Sequence, residues 1–503
     1  MKIEDMDLKT KVAQLFTFSG FHSELDEDTR KLITELKAGG IFIPSGSLKH
    51  PEQVYQLTDD MQTVSLKEGS GIPLFIAADF IAGAGCKLQY GAVHFPKNRA
   101  IGASGDESLA YESGRITAEE SLAMGVNFNY SPVVDINNNP LNPVIGTHSF
   151  GADMDTVSRL GNAVIRGYQE SGLIATAKHF PGHGDTHVDS HEDLPVLNFD
   201  RERLESFELV PFQRAIDEGV DAIMVGHIAV PALDPSLTPA SLSYPLVTEL
   251  LREKMNFKGL IVTDGLSMKG ITNKYSMEEA CVRSILAGTD ILLATTNTYE
   301  QAASLLNAVM DAVKDGTIAE SRIDESVERI LFAKIKYRLT AEAYNYTAFK
   351  AESFNKLGAQ HVNASLAWKA VTPLHGLEQG ALVDKLEESW MLLRDQPTSL
   401  FAGELQQALP FLEQQVADSY EGVLALLSDV SEQQNIIVAI SHNKPIAADF
   451  LEQLNMHLSK AKNSIWVHFG SEYDVQNAAG ACLLMYDRSP SLQSVAAQYL
   501  TKK

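Results

Sequence analysis

Short apolar runs alternate with amphipathic stretches through the first two thirds of the chain. Ile41-Phe42-Ile43, Ile72–Ala78, Val126–Tyr130, Leu173–His179, Ala222–Gly226, Leu260–Thr263 and Asp290–Leu293 read as buried strands, and the block around Leu15 as the first of the series. Between them, helical spacing runs through Asp26–Lys37, Pro51–Val64, Glu107–Met124, Thr156–Ser171, Arg203–Glu218, Pro245–Met255, Met277–Ala287, Thr298–Lys314 and Asp324–Lys336. Gly39-Gly40 is expected to cap the first of these helices. Continuous apolar strands alternating with helices imply parallel pairing with helices outside. A doubly wound sheet and a (β/α)8 TIM-type barrel both fit. Asp79, His179, His227 and Asp264 each fall where a different strand ends. A barrel gathers such ends on one face, so the pattern favours the barrel.

The alternation fades near Leu339, where LTAEAYNYTAFKAES is small and polar. Beyond it, Ala381-Leu382-Val383, Ile436–Ile440 and Ile465–Phe469 read as strands and Ala447–Lys460 as a helix. The expected organisation is a catalytic barrel over 1–338, a linker over 339–358 and a smaller C-terminal α/β domain over 359–503.

Composition narrows the classes of function. The chain has 503 residues, 45% of them hydrophobic, and a net charge of −24. Nucleic acid is disfavoured as a partner, because phosphate binding needs clustered Lys and Arg. Cys86, Cys281 and Cys482 are too scattered for a disulfide framework or a paired-cysteine metal site. No run of about 18 apolar residues is present, so no membrane span is expected. The opening MKIEDMDLKTKVAQLF lacks an apolar signal core, and a cytoplasmic location is the expectation.

The densest chemistry lies in Ala177–Pro195, AKHFPGHGDTHVDSHEDLP, with His179, His183, His187 and His191 four residues apart. On a helix that spacing would put four ligands on one face, but Pro181, Gly182 and Gly184 forbid the helix. Asp189 and His191, two apart on an extended loop, can point the same way. A carboxylate fixes an imidazole's tautomer and makes it a general acid and base. A loop held by its own hydrogen bonds is the competing reading. Asp264, between a buried strand and Gly265, reads as a nucleophile or base, or as the cap of the next turn. Asp79 can accept from sugar hydroxyls or pair with Lys87. His148, in an Asn- and Pro-rich loop, can reach the mouth or simply fold over the rim.

Together these stretches resemble glycoside hydrolase family 3, in particular its β-N-acetylglucosaminidase branch. The resemblance is carried by KHFPGHGDT at 178–186 with VDSH at 188–191, by IVTDGLSMKGI at 261–271, by PVVDINNNPLNPVIG at 132–146 and by the early KVAQLF, over about residues 5–340. It implies a retaining mechanism with Asp264 as nucleophile and His191, paired with Asp189, as acid and base. It also implies sugar contacts from Lys178, His179, Asp79 and His148, with no metal or organic cofactor. The implied substrate is a carbohydrate ending in β-linked N-acetylglucosamine, such as a peptidoglycan fragment or a chitooligosaccharide. Two positions depart from the family pattern. Ile81 stands where an acidic residue is usual, and His148 where Arg is usual, so recognition of the sugar's far edge is open to difference. Phosphorolysis on the same scaffold and a non-catalytic sugar-binding relative are the alternatives.

Overall fold

The computed structural model describes residues 3–343, 348–441 and 445–502. Eight parallel strands form the first unit: β1 Phe16–Ser19, β2 Gly40–Phe42, β3 Phe75–Ala78, β4 Phe128–Asn129, β5 Thr176–Phe180, β6 Ala222–Val225, β7 Leu260–Thr263 and β8 Leu292–Ala294. Ladders join β8-β1-β2-β3-β4 and β5-β6-β7. Single parallel bridges, Phe128 to Ile174 and Val262 to Ile291, close the two arcs into a ring. The expected TIM-type barrel is therefore present, with helices between successive strands. Nearly every strand residue is buried, because the ring covers one strand face and the helices the other.

Asp290 fastens the face where the strands begin. Its fully buried carboxylate accepts from Arg252 at 2.6 Å and Arg329 at 2.9 Å. A cavity of about 590 Å³ also opens near this face, lined in part by Ile216, Phe257, Arg329 and Phe332. Its size does not mark it as the reaction centre, since barrel chemistry sits where the strands end.

The second sheet has six strands: β9 Thr372–Leu374, β10 Trp390–Arg394, β11 Leu412–Val416, β12 Asn435–Ser441, β13 Asn463–Phe469 and β14 Ala481–Leu484. Their order is β11-β10-β12-β13-β14-β9, with only β9 antiparallel. The expected strand at Ala381–Val383 is absent. Leu382 is buried there, but Gly380 N–H and Leu382 N–H donate to Tyr499 O and Leu500 O of the last helix instead of joining a ladder. Of the expected linker 339–358, residues 344–347 lie outside the described residues. Phe349 stacks on Phe354 and tilts against Tyr55, and a helix begins at Leu357.

The expectation for Gly39-Gly40 is also corrected. The helix Glu27–Thr34 turns off at Lys37, which has φ +60°. The glycines serve close packing: a Cβ on Gly39 would lie 2.3 Å from Gln14 O, and one on Gly40 would lie 2.8 Å from Thr17 Oγ1.

Candidate active site

Parallel closure brings Asp79, Lys178, His179, His227 and Asp264 to one end of the barrel, each within or just after its strand. Asp264 follows β7. Its backbone N–H donates to Val225 O, and its Oδ1 accepts from Gly265 N–H at 2.7 Å. Burial raises its acid, but the neighbouring His179 and His227, the Gly265 N–H and Lys178 together outweigh that, so it titrates below the ordinary carboxylate range.

His227, fully buried after β6, fixes the Asp264 turn. Its Nε2 meets Gly265 O at 3.0 Å, so that nitrogen carries the proton, and Nδ1 takes the Ser241 hydroxyl at 2.8 Å. Burial holds this ring neutral.

The end of the mouth around His179 is built on a residue the sequence reading did not single out. Asp135, with no exposure, accepts from His179 N–H at 3.1 Å, from His179 Nδ1 at 2.8 Å and from His183 N–H at 2.7 Å. His179 is thereby fixed with Nδ1 protonated and Nε2 free. Beside it, Lys178 donates to Asp79 Oδ1 at 2.7 Å. Burial raises the Asp79 acid, but Lys178, Lys87 and His148 bring it below the usual range. Burial, together with Lys97, Lys178 and Lys87, pushes His148 down to about 3, although Asp79 pulls the other way. His148 is thus a neutral ring at this end of the mouth.

The three histidines of the loop after β5 have different surroundings. His183 is buried, with Nδ1 on Thr186 Oγ1 at 2.7 Å and Nε2 on Ser190 Oγ at 3.1 Å. Burial pushes it down to about 4. His187 is exposed and meets Asn139. Asp189 and His191 do come together, but in a turn and not in the extended loop expected. Glu192 N–H and Asp193 N–H both donate back to Asp189 O. Asp189 Oδ1 accepts from His191 N–H at 2.9 Å and from Nδ1 at 2.8 Å. A carboxylate only accepts, so Nδ1 carries a proton and Nε2 faces solvent from a side chain 64% exposed. The turn is tied to the segment after Asp264, because Gly270 N–H donates to Ser190 O at 3.1 Å and Asn273 Nδ2 to Asp193 Oδ1 at 3.1 Å.

Among the described residues, no group of three or more His, Cys, Asp or Glu side chains is arranged to hold a metal ion. Likewise, no described helix is long and apolar enough to cross a membrane.

The chain has clear relatives. The model of the glycosyl hydrolase family 3 N-terminal domain matches residues 7–333. A β-hexosaminidase A of Pseudoalteromonas piscicida is 29% identical over 496 residues, covering 92% of this chain and 79% of that one. A β-N-acetylglucosaminidase/β-glucosidase of Cellulomonas fimi is 32% identical over 66% of this chain and 58% of its own length. The solved structure of a family 3 β-N-acetylglucosaminidase from Paenibacillus sp. str. FPU-7 superposes with a TM-score of 0.90 at 32% identity, covering 99% of this chain and 97% of that one. With a matched barrel and a likeness that runs the full length of a solved relative, the chain belongs to glycosyl hydrolase family 3, on its β-N-acetylglucosaminidase branch, and is a glycoside hydrolase.

Proposed function

We propose that the enzyme removes terminal β-linked N-acetylglucosamine from short glycans, chitooligosaccharides or peptidoglycan fragments, with retention of configuration. The observation that carries this reading is that the segments bearing two complementary chemistries are tied to one another. An ionised Asp264 and the Asp189–His191 pair sit on loops tied through Ser190 and Gly270.

In the first step, the Asp264 oxygen not held by Gly265 attacks the anomeric carbon. The bond to the leaving oxygen breaks, and that oxygen takes the Nε2 proton of a doubly protonated His191 ring, which is left neutral with its remaining proton on Nδ1. In the second step, Nε2 takes a proton from water, the water oxygen bonds to the anomeric carbon, and Asp264 is released. Asp189 accepts the Nδ1 proton of His191 throughout, so the ring neither rotates nor changes tautomer. Most retaining glycosidases divide this work between two carboxyl groups. Here a histidine takes the second role, and it leaves no extra negative charge beside the nucleophile. Asp79 accepts from sugar hydroxyls, Lys178 donates to them, the free His179 Nε2 accepts from them, and the neutral His148 contributes one donor and one acceptor.

The test is hydrolysis of 4-nitrophenyl β-N-acetylglucosaminide followed by proton NMR. The β-anomer is expected as the first product. Asp264→Ala is expected to lose nearly all turnover, and His191→Ala about 10²-fold in kcat/KM on substrates with poor leaving groups. An α-anomer appearing first, or full activity in Asp264→Ala, overturns the proposal. Repeating the assay with inorganic phosphate separates hydrolysis from phosphorolysis, which would yield the sugar 1-phosphate.

A further inference from the structure

The second sheet sends one side chain to the surroundings of the histidine loop. Tyr473 lies in the turn Glu472–Val475, just after β13, and its Oη donates to Asn137 O at 2.7 Å. Asn137 belongs to the run 135–142, which walls the loop that carries His191. Within that wall Asn138 Nδ2 donates to Asp185 Oδ2 at 2.8 Å, and Asn142 Nδ2 donates to His183 O at 2.8 Å and Gly184 O at 3.0 Å. Gly184 lies so close that a Cβ there would be 1.8 Å from Ile136 O. The wall and the first half of the loop therefore behave as one packed body.

Tyr473 is itself firmly placed. Its neighbour Glu472 pairs with Arg99 of the barrel unit at 2.7 Å. On its other side, Asp474 takes the buried His468 Nε2 at 3.0 Å and Ile446 N–H at 3.1 Å. The backbone of the barrel-side segment is held as well, with Lys97 N–H on Asp487 Oδ2 at 2.7 Å. Polar contacts thus run from the second sheet, through Tyr473 and the asparagine run, to His183–Asp185, and from there His183 Nε2 reaches Ser190 Oγ, between Asp189 and His191, at 3.1 Å.

We infer that Tyr473 is a positioning residue for His191, supplied by the C-terminal unit through the asparagine run. The inference rests on the reading of His191 as acid and base. Its consequence is specific to proton transfer. A leaving group that departs easily needs little acid assistance, whereas a sugar or alkyl alcohol needs it fully. Loosening the loop therefore slows poor leaving groups and spares good ones, while a merely structural loss slows all alike.

The experiment measures kcat and KM for a series of β-N-acetylglucosaminides, from 4-nitrophenyl to methyl and chitobiose, in the full chain and in His191→Ala, Tyr473→Phe and Tyr473→Ala. Tyr473→Ala is expected to lose about tenfold in kcat/KM on the poor leaving groups and less than about twofold on 4-nitrophenyl. Tyr473→Phe keeps the ring and is expected to lose about fivefold on the poor leaving groups, the worth of one hydrogen bond. It also serves where the alanine variant fails to fold. An equal loss across the series, or no loss, in the Tyr473 variants overturns the inference while a leaving-group-dependent His191→Ala upholds the proposed mechanism. A leaving-group-independent loss in His191→Ala overturns both.

Discussion

At the scale of single residues, Asp135 shows how much of the site rests on one carboxylate. It takes two backbone N–H groups and one ring N–H without any contact with solvent. Burial alone would raise its acid. The charge and hydrogen bonds of His179, with those of His183, hold it below the usual range. The sign of the linkage follows. A carboxyl with a depressed folded pKa contributes stability above its unfolded value near 3.9, and that contribution is lost as pH falls through the folded value. Asp135→Asn keeps the shape but turns an amide toward donors. We expect it to cost about 3 kcal/mol or more in denaturant unfolding, as breaking a buried pair does, and to lower kcat/KM by freeing His179. Wild-type stability in this variant would show that the three hydrogen bonds are dispensable. Asp135 was legible in principle, since it follows the apolar Pro132-Val133-Val134 just as Asp79 and Asp264 follow theirs. The crowd of asparagines and prolines after it drew the reading toward loop architecture. For His183 and His187 the even spacing in the sequence hides unlike surroundings, since His183 is enclosed by Thr186 and Ser190 while His187 is exposed beside Asn139.

At the scale of elements, the barrel strands were readable because most are apolar on both faces and bounded by turn residues. The second sheet was only partly so. Leu412–Val416 is LEQQV, an edge strand with three of its five residues exposed, and it carries no apolar run to notice. Trp390–Arg394 is buried but follows the polar Glu387-Glu388-Ser389, which masks its start. Close approaches were the least legible. Nothing in the sequence separates a glycine that turns a chain from one that lets two chains touch, and Gly39, Gly40 and Gly184 are of the second kind. Gly184 gives the test. A Cβ 1.8 Å from a backbone oxygen cannot be met by rotating a side chain, so Gly184→Ala must part the asparagine run from the histidine loop. We expect a loss of about 1–3 kcal/mol from overpacking, and a fall in kcat/KM that is steepest for poor leaving groups. Gly46→Ala, which meets nothing within 4 Å, is the matched control and should leave both measurements unchanged.

At the scale of the whole molecule, the balance of charge sets how the enzyme meets acid. The chain carries −24, so falling pH relieves self-repulsion and by itself favours the compact state. Buried histidines act in the opposite sense. His183 and His148 are held down to about 4 and about 3. Between those values and 6.5 the unfolded chain binds protons that the folded chain refuses, so their contribution is whole above about 6.5 and is lost as pH falls toward the folded values. For His183 the drop from 6.5 to about 4, at about 1.4 kcal/mol per pH unit, amounts to about 3 kcal/mol. Comparing the wild type with His183→Gln cancels the global charge effect and isolates this term. The variant is expected to be less stable at pH 7, because Thr186 and Ser190 lose a well-placed partner, and the gap should close steadily between pH 6.5 and 4. A gap that stays constant over that window would mean that the ring is protonated in the folded state. The choice of probe matters, because all three tryptophans, Trp368, Trp390 and Trp466, lie beyond the barrel. Fluorescence of Trp390 and Trp466 reports the second sheet, while Trp368 lies on the helix Leu357–Ala370 that packs against the barrel, so a Trp368→Phe background is used and calorimetry or circular dichroism follows the unit that holds His183. If the polar contacts through Arg99, Lys97 and Tyr473 couple the two units, the fluorescence transition shifts with His183→Gln although no tryptophan lies near it. If it does not shift, the units unfold separately, and the pH term belongs to the barrel alone.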